Sequence, residues 1–417
     1  MFVLKLIFES FSFAWNALRT NVLRTVLSLL GVTIGIFAII TVFTLVDSLE
    51  KNVKESFNFL GSDILYVSKM PFIIKSREEW LSYRNRPNPS LAEFNMLEKR
   101  LTSQAGLAIT SQAGGIVSRG NNSFNETSFL GVSYGYQDVT ELNIIEGRYF
   151  SQNEMGSNSN VVIIGDEVKK ALFPNGESPL GEEIRIKNNK FLVIGALKRE
   201  GESFLGVSSK DQVVIIPFGS YRKFYTTGTG RSREIGATLI AKGSEEDLGL
   251  LELEGEITGF IRTKRGLKPK EEDNFAINRP EAIANEIGKV FDVLSIAGTI
   301  IGGFSILIGG FGIANIMFVS VKERTSIIGI QKSLGAKNYF ILFQFLFEAI
   351  FLSVIGGLAG LILVYFITFI PLGSLVVSLT VKNIAIGLGV STVIGTVSGI
   401  IPAALAARLD PVIAIRS

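Results

Sequence analysis

The chain of 417 residues contains no histidine and no cysteine. Without histidine there is no imidazole base for nucleophilic catalysis and no imidazole metal ligand. Without cysteine there is no thiolate nucleophile, no thiolate metal site and no disulfide. The formal net charge of +3 is too small to favour nucleic-acid binding through bulk electrostatics. We therefore expect no metal site and no nucleic-acid partner, and catalysis could rest only on carboxylates.

Charged residues are also absent from four long stretches of the sequence. Each stretch exceeds the run of about 20 apolar residues that crosses a hydrocarbon core. Together they hold 109 residues, so the 79 charged residues fall on the other 308, at the density of an ordinary soluble domain. This pattern predicts four transmembrane helices and disfavours long buried helices of a soluble protein. The charge-free stretches are Thr25–Val46, Val293–Val321, Ala349–Val381 and Asn383–Ala407.

The third stretch is too long for one helix, and Pro371 and Gly373 predict where it is interrupted. We predict an α-helical membrane protein with four transmembrane helices and a large α+β extracytoplasmic domain inserted between helices 1 and 2. A plain extension of the first span is the alternative for the N-terminal segment. The predicted segments are an amphipathic cytoplasmic helix (1–24), the first span (25–46), stalk helices with the α+β domain (47–292), the second span (293–321), a cytoplasmic coupling loop (322–337), the third span (338–370), a short external loop (371–382), the fourth span (383–407) and a cytoplasmic tail (408–417).

Basic residues lie on one side of the predicted spans. Short cytoplasmic loops are enriched in Lys and Arg, whereas the turn between the third and fourth spans has only Lys382 at its edge. Both termini and the loop 322–337 are therefore predicted to be cytoplasmic, and 47–292 to lie outside. The basic residues on the cytoplasmic side are Lys5, Arg19, Arg24, Lys322, Arg324, Lys332, Lys337, Arg408 and Arg416.

In the external segment, short apolar runs alternate with turn residues. The helical pattern of the first span continues through Phe57, and Pro280 begins a pattern that runs into the second span, so two stalk helices are predicted. Ser90 and Glu93 have the spacing of a capping box and predict a helix after them. The predicted strands are Asp63–Ser68, Val161–Gly165, Glu183–Ile186, Phe191–Leu197 and Gln212–Pro217.

No residue pattern predicts an active site. The phosphate-binding pattern G-x-x-x-x-G-K-[ST] does not occur, so we expect this chain to bind no ATP or other cofactor. Adjacent acidic residues at 182–183, 245–246 and 271–273 are typical of solvated turns. Glu348 is the one charge placed within a predicted span, either near the interface or paired with a neighbouring subunit. Since ion-driven carriers hold ionisable groups deep in the helix bundle, such a carrier is disfavoured.

Each predicted span carries two glycines four residues apart. Small residues one turn apart let two helix backbones approach closely in lipid. Four such pairs predict a tightly packed helical group rather than a wide polar pore. The helix-packing glycines are Gly31, Gly35, Gly298, Gly302, Gly356, Gly360, Gly395 and Gly399.

Two cytoplasmic segments carry the most specific pattern. Val321–Ala336 reads VKERTSIIGIQKSLGA, and Ile401–Arg416 reads IPAALAARLDPVIAIR. They resemble the forms E-R-T-x-E-I-G-x-x-K-A-L-G-A and P-A-x-x-A-A-x-L-D-P-x-x-A-L-R of the MacB/FtsX-like permeases of ABC transporters. Further segments resemble the first span and the MacB-type periplasmic core domain of that family: Arg19–Gly35, Glu146–Phe150, Val162–Gly165, Ala171–Pro174 and Pro179–Gly181.

The resemblance implies that the loop 322–337 couples the permease to an ATPase. Ile327 replaces the family's Glu before Ile-Gly, and Glu323 is the candidate for the missing acidic contact. The isoleucines of the loop would suit a partner's groove, with burial at the membrane interface as the alternative. Gly329 and Gly335 are expected to permit bends at the two ends of a short helix. The residues assigned to coupling are Glu323, Arg324, Thr325, Ile328, Gly329, Lys332 and Gly335.

By the same resemblance, the chain would be a non-catalytic permease subunit in the bacterial inner membrane. A separate cytoplasmic ABC ATPase would bind ATP and Mg, and its hydrolysis would drive a periplasmic conformational change that exports macrolide-, peptide-, toxin-like or lipoprotein substrates. The family implies a homodimer, or a heterodimer with a paralogous permease, together with a periplasmic adaptor and an outer-membrane tunnel. The alternative is an FtsX-like regulatory module that controls a periplasmic cell-wall hydrolase and moves no cargo.

Overall fold

The computed structural model describes residues 22–58, 63–201, 210–370 and 377–416. The predicted helix over 1–24 lies almost wholly outside these residues, as does half of the predicted loop 371–382. The helices are α1 (Val22–Asn58), α2 (Arg77–Arg84), α3 (Leu91–Arg100), α4 (Tyr136–Val139), α5 (Gln152–Gly156), α6 (Asp166–Leu172), α7 (Phe218–Tyr221), α8 (Leu251–Arg265), α9 (Pro280–Glu323), α10 (Thr325–Ser333), α11 (Asn338–Ile367), α12 (Val381–Arg408) and α13 (Pro411–Arg416). The strands are β1 (Ile64–Ser68), β2 (Gln104–Arg119), β3 (Asn122–Val132), β4 (Ile144–Gly147), β5 (Val161–Ile164), β6 (Glu183–Ile186), β7 (Asn189–Leu197), β8 (Val213–Pro217), β9 (Ala237–Gly243) and β10 (Ala276–Asn278).

The chain divides into two compact units, which we name the membrane unit (residues up to 52 and from 288) and the external unit (53–287). Among the described residues, the helices α1, α9, α11 and α12 are long and apolar enough to cross a membrane. The four-span prediction, with a large domain between the first and second spans, is therefore confirmed. The helix α9 begins at Pro280, whose fixed φ suits the first helical position.

One mixed sheet of ten strands organises the external unit. Its strand order is β10-β1-β9-β2-β3-β8-β5-β7-β4, and β6 pairs with both β2 and β7. Most neighbours are antiparallel, but β3 pairs with β8 and β5 with β7 in parallel. The predicted strand runs correspond to β1, β5, β6, β7 and β8 of this sheet. It carries helices on its surface, as the α+β prediction required.

Three apolar clusters stabilise different parts of this sheet, and one of them joins Tyr136 of α4 to β2, β5 and β8. The helices α3 and α8 pack on β1, β2 and β9, where Leu97 and Ile257 are fully buried. The helices α6 and α7 pack on the strands β5 to β8, where Leu172 and Tyr221 are fully buried. Burial of such side chains contributes about 1.5–3 kcal/mol each, and without disulfides this burial must hold the domain together.

The longest strand pair, β2 with β3, is a hairpin that the sequence patterns did not predict. Its turn consists of Gly120 and Asn121, because Arg119 pairs directly with Asn122. Gly120 has φ +56°, a left-handed conformation that a two-residue hairpin turn requires and that glycine adopts without strain. The strand β2 is rich in Gly, Ala and Ser, which have weak strand preference. The turn was therefore the local sequence feature that could have indicated this hairpin.

Two capping boxes of the same form occur in the external unit. Ser90 caps α3 with Glu93, as predicted, and Ser151 caps α5 with Glu154. In both boxes the glutamate also pairs with an arginine, but the surroundings differ. Glu93 and Arg265 are joined by a 2.7 Å ion pair and their side chains are 6% and 7% exposed, whereas Arg148, the partner of Glu154, is 56% exposed.

Candidate coupling site between α9 and α11

The connection from α9 to α11 contains the short helix α10, within the predicted loop 322–337. Arg324 separates α9 from α10 with φ −105° and ψ 14°. After α10, Gly335 takes φ +96°, where a side chain would be strained, so this glycine is required for the turn into α11.

The Arg324 side chain contacts another residue of this chain, so it is not free to bind a partner protein. Its Nη1 donates to the Oε2 of Glu348 at 3.2 Å, across 24 positions of sequence. The Glu348 side chain is 2% exposed, and its Oε1 accepts from the Ser320 hydroxyl at 3.5 Å. Arg324→Glu would therefore place a second carboxylate against a buried one, rather than simply reverse a surface charge.

The expectation that Gly329 bends the chain is wrong. Gly329 lies inside α10 and is buried. A Cβ atom there would lie 2.9 Å from the Cβ of Ala414 and 3.1 Å from the backbone N of Ile415, both in α13. The glycine is needed because α10 and α13 approach closely, and the sequence pattern did not indicate that contact.

Lys332 likewise makes contacts within the chain. Its Nζ donates to the carbonyl oxygens of Ala407 at 2.9 Å and Leu409 at 2.6 Å. These carbonyls lie at the C-terminal end of α12, where helix carbonyls lack intrahelical donors and the helix dipole favours a cation. Thr325 donates back to Val321 and Lys322 carbonyls, so it too acts within the α9–α10 junction.

Some of the predicted coupling residues are exposed and others are not. Glu323 is exposed, whereas Ile328 is 1% exposed and belongs to the apolar core of the membrane unit. The exposed apolar residues of α10 and its C-terminus lie three or four positions apart, on one helical face, and α13 carries three more, of which Val412 and Ile413 are the most exposed. We name this set the apolar strip: Ile327 (52% exposed), Ile330 (51%), Leu334 (83%), Val412 (67%) and Ile413 (69%).

Glycines of α12 and α11 lie at close helix contacts. A Cβ atom at Gly395 would lie 2.6 Å from the Cα of Ile350, and one at Gly399 would overlap the Cβ of Ala349. Gly356 faces Val32 of α1 at 3.1 Å, and Gly360 faces the Thr33 carbonyl oxygen at 3.0 Å. The structure thus brings α1, α11 and α12 together at glycines.

The four remaining helix-packing glycines lie between α1 and α9. A Cβ atom at Gly35 would lie 3.0 Å from the Ser305 carbonyl oxygen, and one at Gly31 would lie 3.7 Å from the Cα of Gly309. At Gly302 a Cβ atom would lie 2.6 Å from Ile39, and at Gly298 it would overlap Val42. Gly35, Gly298 and Gly302 therefore mark places where two helices leave no room for a side chain, whereas the Gly31 contact is at ordinary van der Waals distance.

No group of three or more acidic residues in the described part of the chain is arranged to hold a metal ion. The contacts at α10 are instead ion pairs, carbonyl hydrogen bonds and close helix packing. They can position a helix and present its exposed face to a partner.

Comparison with known proteins identifies the family. Residues 25–248 match the MacB-like periplasmic core domain, and residues 299–411 match the FtsX-like permease C-terminal domain. The chain is 31% identical to the uncharacterized ABC transporter permease YknZ of Bacillus subtilis, over 98% of both chains. It is 32% identical to the macrolide export ATP-binding/permease protein MacB of Marinobacter nauticus, over 98% of this chain and 61% of that protein.

The chain therefore spans about three fifths of the length of the MacB relatives. Among solved structures, the periplasmic region of MacB from Actinobacillus actinomycetemcomitans aligns with 55% of this chain and 95% of that chain, at 21% identity and a TM-score of 0.44. The matched domains are those of a multi-pass membrane permease with a periplasmic domain. The chain belongs to the MacB/FtsX-type family of ABC transporter permeases, as its motifs predicted.

The membrane orientation can be tested with single cysteines, because the chain has none of its own. We expect cysteines at Asn121 and Asn188, in hairpin turns of the external unit, to react with a membrane-impermeant maleimide in intact spheroplasts. A cysteine at the exposed Ser326 of α10 should react only after lysis, since charge asymmetry places the loop inside. Reaction at position 188 only after lysis would contradict this orientation.

Proposed function

We propose that this chain is the transmembrane subunit of an inner-membrane ABC exporter, in which a separate cytoplasmic ATPase docks on the apolar strip. ATP and Mg are bound by that ATPase, and the displacement that follows hydrolysis is transmitted through the membrane unit to the periplasmic domain. The observation that carries the proposal is the exposed apolar face of α10. The helix itself is fixed by contacts of Arg324, Gly329 and Lys332 with α11, α13 and α12. Such a face suits a groove on a partner protein.

Several finer assignments belong to this proposal. A homodimer or a heterodimer with a paralogous permease would present two apolar strips to two ATPase subunits. The names of relatives refer to macrolide export and pyoverdine export, so we propose an exported amphiphilic molecule, peptide or lipoprotein as substrate. A periplasmic adaptor and an outer-membrane tunnel would complete the path.

Substitution of Ile330 tests the docking surface. We expect Ile330→Asp to weaken co-purification of the partner ABC ATPase by about 30-fold, the effect of losing an interface contact worth about 2 kcal/mol. Ile330→Leu keeps an apolar side chain at the same place and serves as the matched control. The measurement is pull-down from nanodiscs, with ATP hydrolysis followed in parallel.

Full recovery of the ATPase with Ile330→Asp would exclude the apolar strip as its docking surface and support burial of these residues at the membrane interface. The nature of the export partner is read from the same pull-down on wild-type membranes. Capture of an adaptor supports export, whereas capture of a cell-wall hydrolase or its activator instead supports the regulatory module.

A further inference from the structure

The ion pair between the half-buried Arg324 and the buried Glu348 lies where α9, α10 and α11 meet. Both groups are held by the chain itself: Glu348 also accepts from Ser320, and Arg324 lies at the break between α9 and α10. A buried ion pair contributes little net stability, because removing two charges from water costs about as much as their attraction returns. Its best-attested use is to fix one arrangement of the groups around it.

The position of Glu348 along α11 places the pair at the end of the membrane-crossing part of the bundle. The helix has 30 residues and a length of about 45 Å, whereas a hydrocarbon core is about 30 Å thick. Because the charge-free part of α11 begins at Ala349, we assign the excess of about 15 Å to the ten residues from Asn338 to Phe347. Because Glu348 contacts Ser320 and Arg324, the C-terminal end of α9 lies beside the third turn of α11.

The helix α10 is attached to its neighbours at three separate points. The Arg324–Glu348 pair attaches its beginning to α11, Gly329 packs its middle on α13, and Lys332 attaches its end to the last carbonyls of α12. The other two attachments constrain the angle less, since Lys332 has a flexible side chain and Gly329 makes a packing contact without a hydrogen bond. The ion pair joins a planar guanidinium to a planar carboxylate that is 2% exposed, a geometry that makes its hydrogen bond directional.

We propose that Arg324 and Glu348 form a positioning pair that fixes the orientation of α10 relative to α11. When the docked ATPase displaces α10, the pair transmits that displacement to α11. This inference rests on the proposed function for the origin of the displacement, but the orientation itself is a property of the chain alone. Without the pair, α10 would remain attached at its middle and its end but not at its beginning, so its angle to α11 could change and part of the displacement would be absorbed at the junction.

The test replaces the pair by uncharged side chains of similar length. In Arg324→Met/Glu348→Met no charge is left buried without a partner, so the thermal midpoint in nanodiscs should stay the same or rise. We expect the distance distribution between spin labels at Ser326→Cys and Leu358→Cys to broaden in this double variant. The stimulation of ATP hydrolysis that the permease produces in its bound ATPase, compared at equal ATPase occupancy, should fall about tenfold. The exchanged pair Arg324→Glu/Glu348→Arg is the control and should recover both properties.

The outcomes separate this inference from the proposed function. A narrow distribution in the double methionine variant, or wild-type stimulation of hydrolysis, would overturn the positioning role. A lowered thermal midpoint without recovery in the exchanged pair would show that the residues only support the fold, and would also overturn it. If the wild-type chain binds no ATPase, the proposed function fails, and the spin-label distances alone decide whether the pair orients α10.

Discussion

Replacing Glu93 by alanine should destabilise the external unit by about 3–5 kcal/mol, the cost of leaving one member of a buried ion pair without its partner. Arg265 would keep its hydrogen bonds to Asn274 but lose the carboxylate that neutralises it. The same substitution removes the acceptor for the Ser90 backbone N–H, so the capping box at α3 is lost as well. The measurement is hydrogen exchange of the full chain in nanodiscs, where amides of α3 and α8 should lose protection more than a hundredfold.

The exposed capping box supplies the matched control. Glu154→Ala removes a glutamate with the same position in its box and the same kind of arginine partner, but in contact with water, so we expect a loss of about 1 kcal/mol or less. The pKa of Glu154 is lowered to about 2, chiefly by the hydrogen bond from Arg148. Its contribution is therefore present above the ordinary glutamate pKa and is lost as pH falls towards 2. Equal effects of the two substitutions would show that burial is not what makes the Glu93 pair important.

The close contact between α11 and α12 predicts the largest effect in the membrane unit. Gly395→Ala should lower the free energy of unfolding by about 2 kcal/mol. The new methyl group would clash with the backbone of Ile350 and Ala349, and a backbone cannot change rotamer as a side chain could. Gly389→Ala in the same helix is the control, since nothing lies within 4 Å of a Cβ atom there. Alanine should be neutral or favourable at that position.

The measurement compares the thermal stability of the two glycine variants. Each is heated in nanodiscs, and the protein that remains monodisperse is measured by size-exclusion chromatography. The Gly395→Ala protein should lose its monodisperse peak at a clearly lower temperature than wild type. If Gly395→Ala and Gly389→Ala survive heating equally, α11 and α12 have room to separate and their contact is looser than the structure describes.

Features that depend on neighbouring residues in the sequence were predictable. The spans follow from stretches without charge, and the capping box at Ser90 follows from the fixed spacing of three positions between Ser90 and Glu93. The hairpin of β2 and β3 was not predicted, because β2 is rich in Gly, Ala and Ser and therefore has weak strand preference. The turn at Gly120 and Asn121 was a local signal that could have indicated it.

The candidate site was predictable as a segment but not as a set of contacts. The motif located the loop and its residues, but periodicity cannot tell which distant helix a residue meets. Arg324 and Lys332 were therefore expected to meet a partner, whereas their side chains contact Glu348 and the end of α12. Gly329 was expected to bend the chain, and its actual reason, contact with Ala414, is 85 positions away in sequence.

The two ends of the ten-stranded sheet limit how the external unit can associate. The outermost strands, β10 and β4, have only three and four residues. Long unpaired edges invite other chains to add strands, which is a route to aggregation, and short edges suppress it. Neighbouring copies, crowded on one membrane surface, therefore find little backbone to pair with. A protein that recognises either end of the sheet would therefore do so through side chains and helix faces rather than by adding a strand there.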